Sequence, residues 1–89
     1  MLILPSALTH AAAAAFTPGV RQAVQAEPAA VVVDASSLTE FDSSALAVLL
    51  ECRREALLAS KAFSVRGAPP RLRQLAGLYG VAELIPASQ

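Results

Sequence analysis

Apolar residues along the chain are spaced so that they predict strands alternating with helices. Three consecutive valines at 31–33 follow two alanines and are closed by Asp34, a pattern typical of a central strand covered on both faces. Residues 62–66 alternate between apolar and polar side chains and predict a strand with one wetter face. Residues 1–5 predict a short extended segment, and residues 37–42 predict a loop.

Helical spacing and helix-end residues fill the intervals between these strands. The alanine-rich segment after Thr9 predicts a helix with Thr9 as its N-cap, and Thr17-Pro18 fits a second helix start. This region is therefore either one kinked helix or two short ones. Residues 43–60 form the strongest helical pattern in the chain. A last helix begins at paired prolines and ends at Gly80, which suits the C′ position that follows a helix.

The order of these elements predicts an α/β fold with a mostly parallel sheet and right-handed crossovers. We expect a central sheet of about four strands and three to four helices, in a single domain that spans residues 1–89. Cys52, the only cysteine, lies on the apolar side of the strongest helix. We therefore expect a core thiol and no internal disulfide.

Charge and composition narrow the class of partner. Residues 1–42 carry a net charge of −3 and residues 43–89 carry +3, so the chain as a whole is neutral. Three Phe, one Tyr and no Trp leave few stacking side chains, which argues against a nucleic-acid partner. No apolar run approaches the ~20 residues of a membrane span, and the first residues lack the basic start of a signal peptide. We therefore expect a cytoplasmic protein.

The segment FDSSALAVLLECRREAL, residues 41–57, contains the strongest candidate for function. Asp42, Ser43 and Ser44 follow the loop after the central strand, where α/β folds commonly place their binding sites. They also begin a helix, whose free N–H groups and dipole attract anions. Two interpretations are open. Either the serines only cap the helix, or one of them is a contact or phosphorylation site at which Asp42 would repel the phosphate.

Catalytic chemistry has little support in the sequence. His10 is the only histidine, and a nucleophilic serine needs a base beside it. The four glycines form no phosphate-binding loop, and no cluster of metal-ligating residues occurs. We therefore expect no enzymatic activity, no catalytic residue, no cofactor and no metal.

The helix that follows the serines carries two apolar stripes. At about 100° per residue, six positions share the face expected to pack in the core: Ala45, Val48, Leu49, Cys52, Ala56 and Ala59. Leu46, Leu50 and Leu57 form a second stripe, flanked by Arg53 and Arg54. Either this second stripe docks a partner, or neighbouring elements cover it.

These residues together resemble a known family. The segment VVVDASSLTEFDSSALAVLLECRREA resembles the STAS domain, in which a strand ends in Asp and a short loop leads to Asp-Ser/Thr-Ser/Gly-Gly/Ala-Leu at a helix start. The later segment FSVRGAPPRLRQLAGLYGVAELI is similar to the STAS continuation. The resemblance spans residues 30–86 and implies a STAS fold.

Two branches of the STAS family imply different partners. In anti-sigma factor antagonists, which carry Asp-Ser-Ser-Gly, a kinase that is also the anti-sigma factor phosphorylates the second serine, Ser44 here. In the MlaB-like subunit of the Mla phospholipid ABC transporter, which carries Asp-Thr-Gly-Gly, the Thr falls on Ser43 and contributes to the contact with the transporter ATPase. The short loops and the ending resemble the MlaB-like branch, and DSSA resembles the antagonist branch. Ala45 replaces the usual Gly of both.

The resemblance implies a non-enzymatic regulatory subunit that binds the ATPase of a phospholipid-transport ABC transporter, and through it the permease, at the inner membrane. The alternative is a phospho-switch that binds a kinase-type anti-sigma factor, with Ser44 or Ser43 as phosphoacceptor. STAS domains usually have one more strand before the position of residue 1, which implies an exposed sheet edge and a homodimer formed through it. The expected partner-binding residues are Asp42, Ser43, Ser44, Ala45, Leu46, Leu50, Arg53, Arg54 and Leu57.

Overall fold

The computed structural model describes residues 1–88, which form five strands and four α-helices. The strands are β1 (Leu2–Ile3), β2 (Ala7–Leu8), β3 (Ala30–Asp34), β4 (Glu40–Phe41) and β5 (Ala62–Arg66). The α-helices are α1 (His10–Phe16), α2 (Val20–Ala26), α3 (Ser43–Leu58) and α4 (Pro70–Leu78), with 3-10 turns at Thr17–Gly19 and Ala82–Leu84. None of these helices is long and apolar enough to cross a bilayer.

The main sheet has three strands in the order β1-β3-β5, and both pairings are parallel. A separate parallel pair joins β2 to β4. The chain beyond Ile85 then runs beside β5, where Ala87 forms a single parallel bridge to Val65. The predicted α/β fold with a mostly parallel sheet is confirmed.

The two faces of the sheet differ in burial. Leu2, Val33 and Val65 lie side by side in the register of the three strands and are all buried. On the opposite face, Val32 is only half-buried and Ile3 is exposed. Within residues 1–88, the prediction that β3 is covered on both faces was therefore wrong. The two buried valines, Val31 and Val33, lie on the same face of β3, and α3 contacts this strand.

Helix α3 supplies much of the core. Val48, Leu49, Cys52 and Ala56 are buried along one side of it, and α3 contacts both β3 and β5. Burying a side chain the size of Leu or Val contributes about 1.5–3 kcal/mol, so this face is a major source of stability in a small domain. Burial raises the pKa of the Cys52 thiol to about 12.

The region between β2 and β3 combines the two predicted alternatives. Helices α1 and α2 are distinct, but a 3-10 turn joins them without leaving helical backbone angles. Thr9 occupies the N-cap position of α1, yet its hydroxyl makes no capping hydrogen bond. The Thr17 hydroxyl donates backwards to the Ala13 carbonyl at 2.8 Å, so it does not cap a second helix.

The loop predicted for residues 37–42 contains a short strand instead. Residues Glu40 and Phe41 pair in parallel with Ala7 and Leu8. The prediction missed this pairing because two residues are too few to show a period, and their partner is distant in sequence. The pairing brings the start of α1 beside the start of α3.

The outer edge of β1 pairs with no other strand within residues 1–88. Ile3 on this strand is exposed, and the terminal ammonium of Met1 lies 2.8 Å from the Glu27 carboxylate. The homodimer through this edge stays a prediction.

Helices α3 and α4 end in the same hydrogen-bonded motif. In α3, Ser60 N–H donates to Leu57 and Lys61 N–H donates to Ala56, at 3.0 and 2.8 Å. In α4, Gly80 and Val81 make the equivalent bonds, and the expected C′ position of Gly80 is confirmed. Both C′ residues have positive φ, 58° at Ser60 and 73° at Gly80. This is the Schellman motif, in which glycine is the favoured residue.

Lys61 also closes a second helix end. Its ammonium donates to the carbonyl oxygens of Val24, Gln25 and Glu27, where α2 ends. A cation at a helix C-terminus satisfies free carbonyls and complements the helix dipole. The end of α3 and the end of α2 are thereby held together.

We predict that Ser60→Gly stabilises the protein. A non-glycine residue in the left-handed region costs about 1–2 kcal/mol, and glycine loses part of that gain through its larger unfolded-state entropy, which leaves up to about 1 kcal/mol. Gly80→Ala should have the opposite effect, by about 1 kcal/mol. Urea unfolding midpoints at unchanged m would measure both changes. A Ser60→Gly protein no more stable than the wild type would contradict the assigned strain.

Candidate functional site

The start of α3 is organised by Asp42. Its backbone is extended, and its carboxylate accepts a hydrogen bond from the Ser44 N–H at 2.8 Å. The Asp42 carbonyl accepts the first backbone bond of the helix, from Ala45 at 3.0 Å. The N-cap residue is therefore Asp42, and the interpretation in which the serines themselves cap the helix was wrong. Ser43 and Ser44 are the first residues inside α3.

The loop between β3 and α3 is tied down at two points. After β3 ends, the Asp34 carboxylate accepts from the Ser36 N–H at 2.9 Å. Further along, the Thr39 and Glu40 N–H groups both donate to the Ser6 carbonyl, at 2.8 and 3.0 Å. These bonds fix the position from which α3 begins.

The side chains at the helix start differ in access. Asp42 and Ser43 are exposed, and Ser44 is half-buried. Ala45 is fully buried in the core, so its side chain cannot contact a partner, contrary to the expectation from the motif. The exposed chemical groups at this end of α3 are therefore one carboxylate and one hydroxyl, with a second hydroxyl beside them.

The predicted leucine stripe is only partly exposed. Leu46 is 3% exposed, so it cannot belong to a docking surface, and Leu50 is half-buried. Helix α4 contacts α3, and its Leu72 belongs to the same apolar core as Leu46. Leu57, at 54% exposed, is the member of the stripe that solvent reaches most.

The two arginines of α3 differ in exposure. Arg54 makes a bidentate contact with Glu51, at 2.9 and 3.0 Å, and also reaches Glu55 at 3.0 Å. The Arg54 contact lowers the pKa of Glu51, and the Glu51 contact raises the pKa of Arg54. Arg54 also borders a cleft against α2. Arg53 is half-buried.

The tertiary structure adds three residues that the motif did not include. His10, at the start of α1, lies close enough to Asp42 to contribute to the lowered pKa of that carboxyl. Phe41 precedes the cap, and the Arg71 guanidinium of α4 lies 4.5 Å from the centre of its ring. The signal that could have placed His10 there is the β2–β4 pairing, which the sequence pattern does not reveal.

Electrostatics at the site centre on the Asp42 carboxyl. The Ser44 N–H, the Ser44 hydroxyl and His10 all lower its pKa below the ordinary value of 3.8, because they stabilise the ionised form. Within residues 1–88, no group of three or more His, Cys, Asp or Glu side chains is placed to hold a metal ion.

A protein family described as "Mlab, STAS domain" matches residues 1–86. The match therefore covers every element from β1 to the 3-10 turn Ala82–Leu84, including the whole of α3 and its start. A comparison with curated proteins gave no match.

We predict that Asp42→Asn destabilises the fold in a pH-dependent way. Asn retains a capping oxygen, so the variant removes the charge and keeps the cap. Since the folded-state pKa lies below 3.8, the charge stabilises the fold above that pH. This contribution is lost as pH falls through the folded-state pKa.

Thermal unfolding of both proteins from pH 7 into the acid range would measure this difference. The wild type should be the more stable protein at neutral pH, and the gap should close in acid. The pKa of Asp34 is also lowered, but Asp34 titrates in both proteins, so its effect cancels in the stability difference between them. A gap that is independent of pH would contradict the assigned role of the Asp42 charge.

Proposed function

The chain belongs to the STAS domain family, in its MlaB-like type, and we propose that it is a non-enzymatic regulatory subunit of a phospholipid-transport ABC transporter. In this proposal it binds the transporter ATPase on the cytoplasmic side of the inner membrane. It meets the permease only through that ATPase, and lipid handling belongs to the partners.

The observation that carries the proposal is the exposure of Asp42 and Ser43 at the tip of a helix whose body is anchored in the core. A polar tip on a rigid element is a suitable contact for another protein, because little side-chain or backbone entropy is lost when it binds. Ser43 also occupies the position at which the MlaB-like motif has its Thr. This chain and that motif therefore both have a hydroxyl at this position.

A regulatory effect then requires that the ATPase has two states with different affinity for this subunit. The subunit stabilises the state it binds more tightly, and couplings of this kind typically amount to about 1–3 kcal/mol. Helix α3 suits such a brace because its buried face ties the tip to β3 and β5. Movement at the tip would therefore have to disturb the core.

We predict that Ser43→Lys abolishes binding to the transporter ATPase. The substitution puts a long cation into the contact patch, which consists of Asp42, Ser43 and Ser44, and at the positive end of the helix dipole. Because Ser43 is exposed, the new charge is not buried. Titration calorimetry with the purified ATPase and stimulation of ATP hydrolysis would measure the loss. Ser60→Lys is the matched control, because Ser60 is also exposed and lies beyond the other end of α3.

Circular dichroism would establish that both lysine variants fold. Retained binding by a folded Ser43→Lys protein would contradict the site. Wild-type protein that neither binds the ATPase nor changes its activity would contradict the function itself.

A second candidate function, the phospho-switch, is favoured by the position of Ser44. Its N–H donates to the Asp42 carboxylate, and its hydroxyl helps to lower the pKa of that carboxyl. A phosphate on Ser44 would place a second negative group against that carboxylate and disturb the cap. Modification here would therefore change the shape and charge of the same contact patch.

If this candidate is correct, a kinase-type anti-sigma factor with ATP should add one phosphate to the chain. Mass spectrometry should show that Ser44→Ala abolishes the addition, and that Ser43→Ala, the neighbouring control, retains it. Phosphate on Ser43 alone, or no mass shift in the wild type, would contradict the assignment to Ser44.

A further inference from the structure

A groove of about 300 Å³ runs between α1 and α3 and opens beside the start of α3. Its α1 side includes His10, Ala14 and Thr17, and its α3 side includes Ser44, Ala47 and Glu51. Ser44 therefore belongs both to the contact patch and to this groove. The groove continues the patch along the first two turns of α3.

The size of the groove follows from the small residues in its walls. Ala14 and Ala47 are both exposed, and neither carries a side chain long enough to close the space between the helices. The volume is about twice that of the ~150 Å³ cavity that is known to take up benzene. One large apolar side chain therefore fits between the two helices.

The border of the groove is acidic. Asp42 lies beside His10 at one end, and Glu51 lines the other. The nearby cation of Arg54 is shared between Glu51 and Glu55, so these three groups together keep one negative charge. Helix α1 contains no lysine or arginine, and His10 is its only titratable residue. A ligand for this groove would therefore combine an apolar group with a positive charge.

We propose that the groove receives one large apolar side chain of the transporter ATPase, next to a lysine or arginine of the ATPase that meets Asp42 and Glu51. The inference rests on the function proposed above and names the side of the patch on which the partner sits. It also gives the alanine-rich α1 a role in recognition.

The opposite side of the patch offers less. Leu46 is buried and Leu50 is half-buried, so the exposed part of the leucine stripe is Leu57. Leu57 lies about 20 Å along the helix axis from Ser44, whereas Ala47 lies about 5 Å away. A partner that holds the serines therefore reaches the groove before it reaches the stripe.

The test compares three arginine substitutions on exposed positions of α3. Ala47→Arg fills the groove and repels the expected cation, so affinity for the purified ATPase should fall by about tenfold or more. Leu58→Arg, on the same helix beyond the groove, should leave affinity unchanged. Leu57→Arg tests whether the leucine stripe contacts the ATPase, and its affinity for the ATPase should also be unchanged. Ala14→Arg blocks the groove from the α1 side. It replaces Ala47→Arg in the test if the Ala47→Arg protein does not fold.

A second comparison isolates the charge. Glu51→Gln and Glu55→Gln each remove one carboxylate that contacts Arg54, but only Glu51 lines the groove. Glu51→Gln should weaken binding several-fold at low salt and lose this effect as salt is added, and Glu55→Gln should not.

The outcomes separate this inference from the proposed function. Wild-type affinity in folded Ala47→Arg and Ala14→Arg proteins overturns the groove and leaves the proposed function standing. Loss of binding in Leu57→Arg alone also overturns the groove, since the contact would then lie on the leucine stripe. If the wild type binds no transporter ATPase, the proposed function and this inference fail together.

Discussion

The packing of α3 against β3 and β5 is the contact on which the remaining structure depends. Leu49 and Cys52 are fully buried on the helix side, and Val31 and Val33 on the sheet side. The Cys52 thiol stays protonated, because burial raises its pKa to about 12, so it acts there as a small apolar group. In a chain of this size, few other contacts could replace the area buried at this interface.

The other helices are arranged around α3. Helices α1, α2 and α4 all contact it, and Lys61 just beyond its end binds the last carbonyls of α2. Both ends of α3 are also fixed by hydrogen bonds. The Asp42 cap holds the first end, and the Schellman motif at Ser60 holds the last. The exposed hydroxyl of Ser43 is thus presented at a defined position, which is what a protein contact of modest area requires.

Burial also decides which surfaces remain for recognition. The burial of Leu46 narrows the apolar stripe that periodicity indicates, whereas α1 approaches α3 through alanines and leaves a groove. The same helix thus has one flank on which the apolar stripe is partly buried and another left open by small side chains. The cap carboxylate lies at the end of the open flank, so polar and apolar features of the site are adjacent.

Local signals in the sequence were sufficient for much of this protein. The valine run of β3, the alternation in β5, the long apolar period of α3 and the glycine after α4 each identify an element from neighbouring residues alone. The Asp42-Ser43-Ser44 motif likewise locates the helix start.

The tertiary structure alone decided the contacts between segments distant in sequence. These are the β2–β4 pairing, the approach of His10 to Asp42, the burial of Leu46 and the groove beside Ala47. Two-residue strands carry no period, and the exposure of a helix flank depends on which neighbour packs there. The chain thus specifies its elements locally, and its recognition surface arises only when they pack.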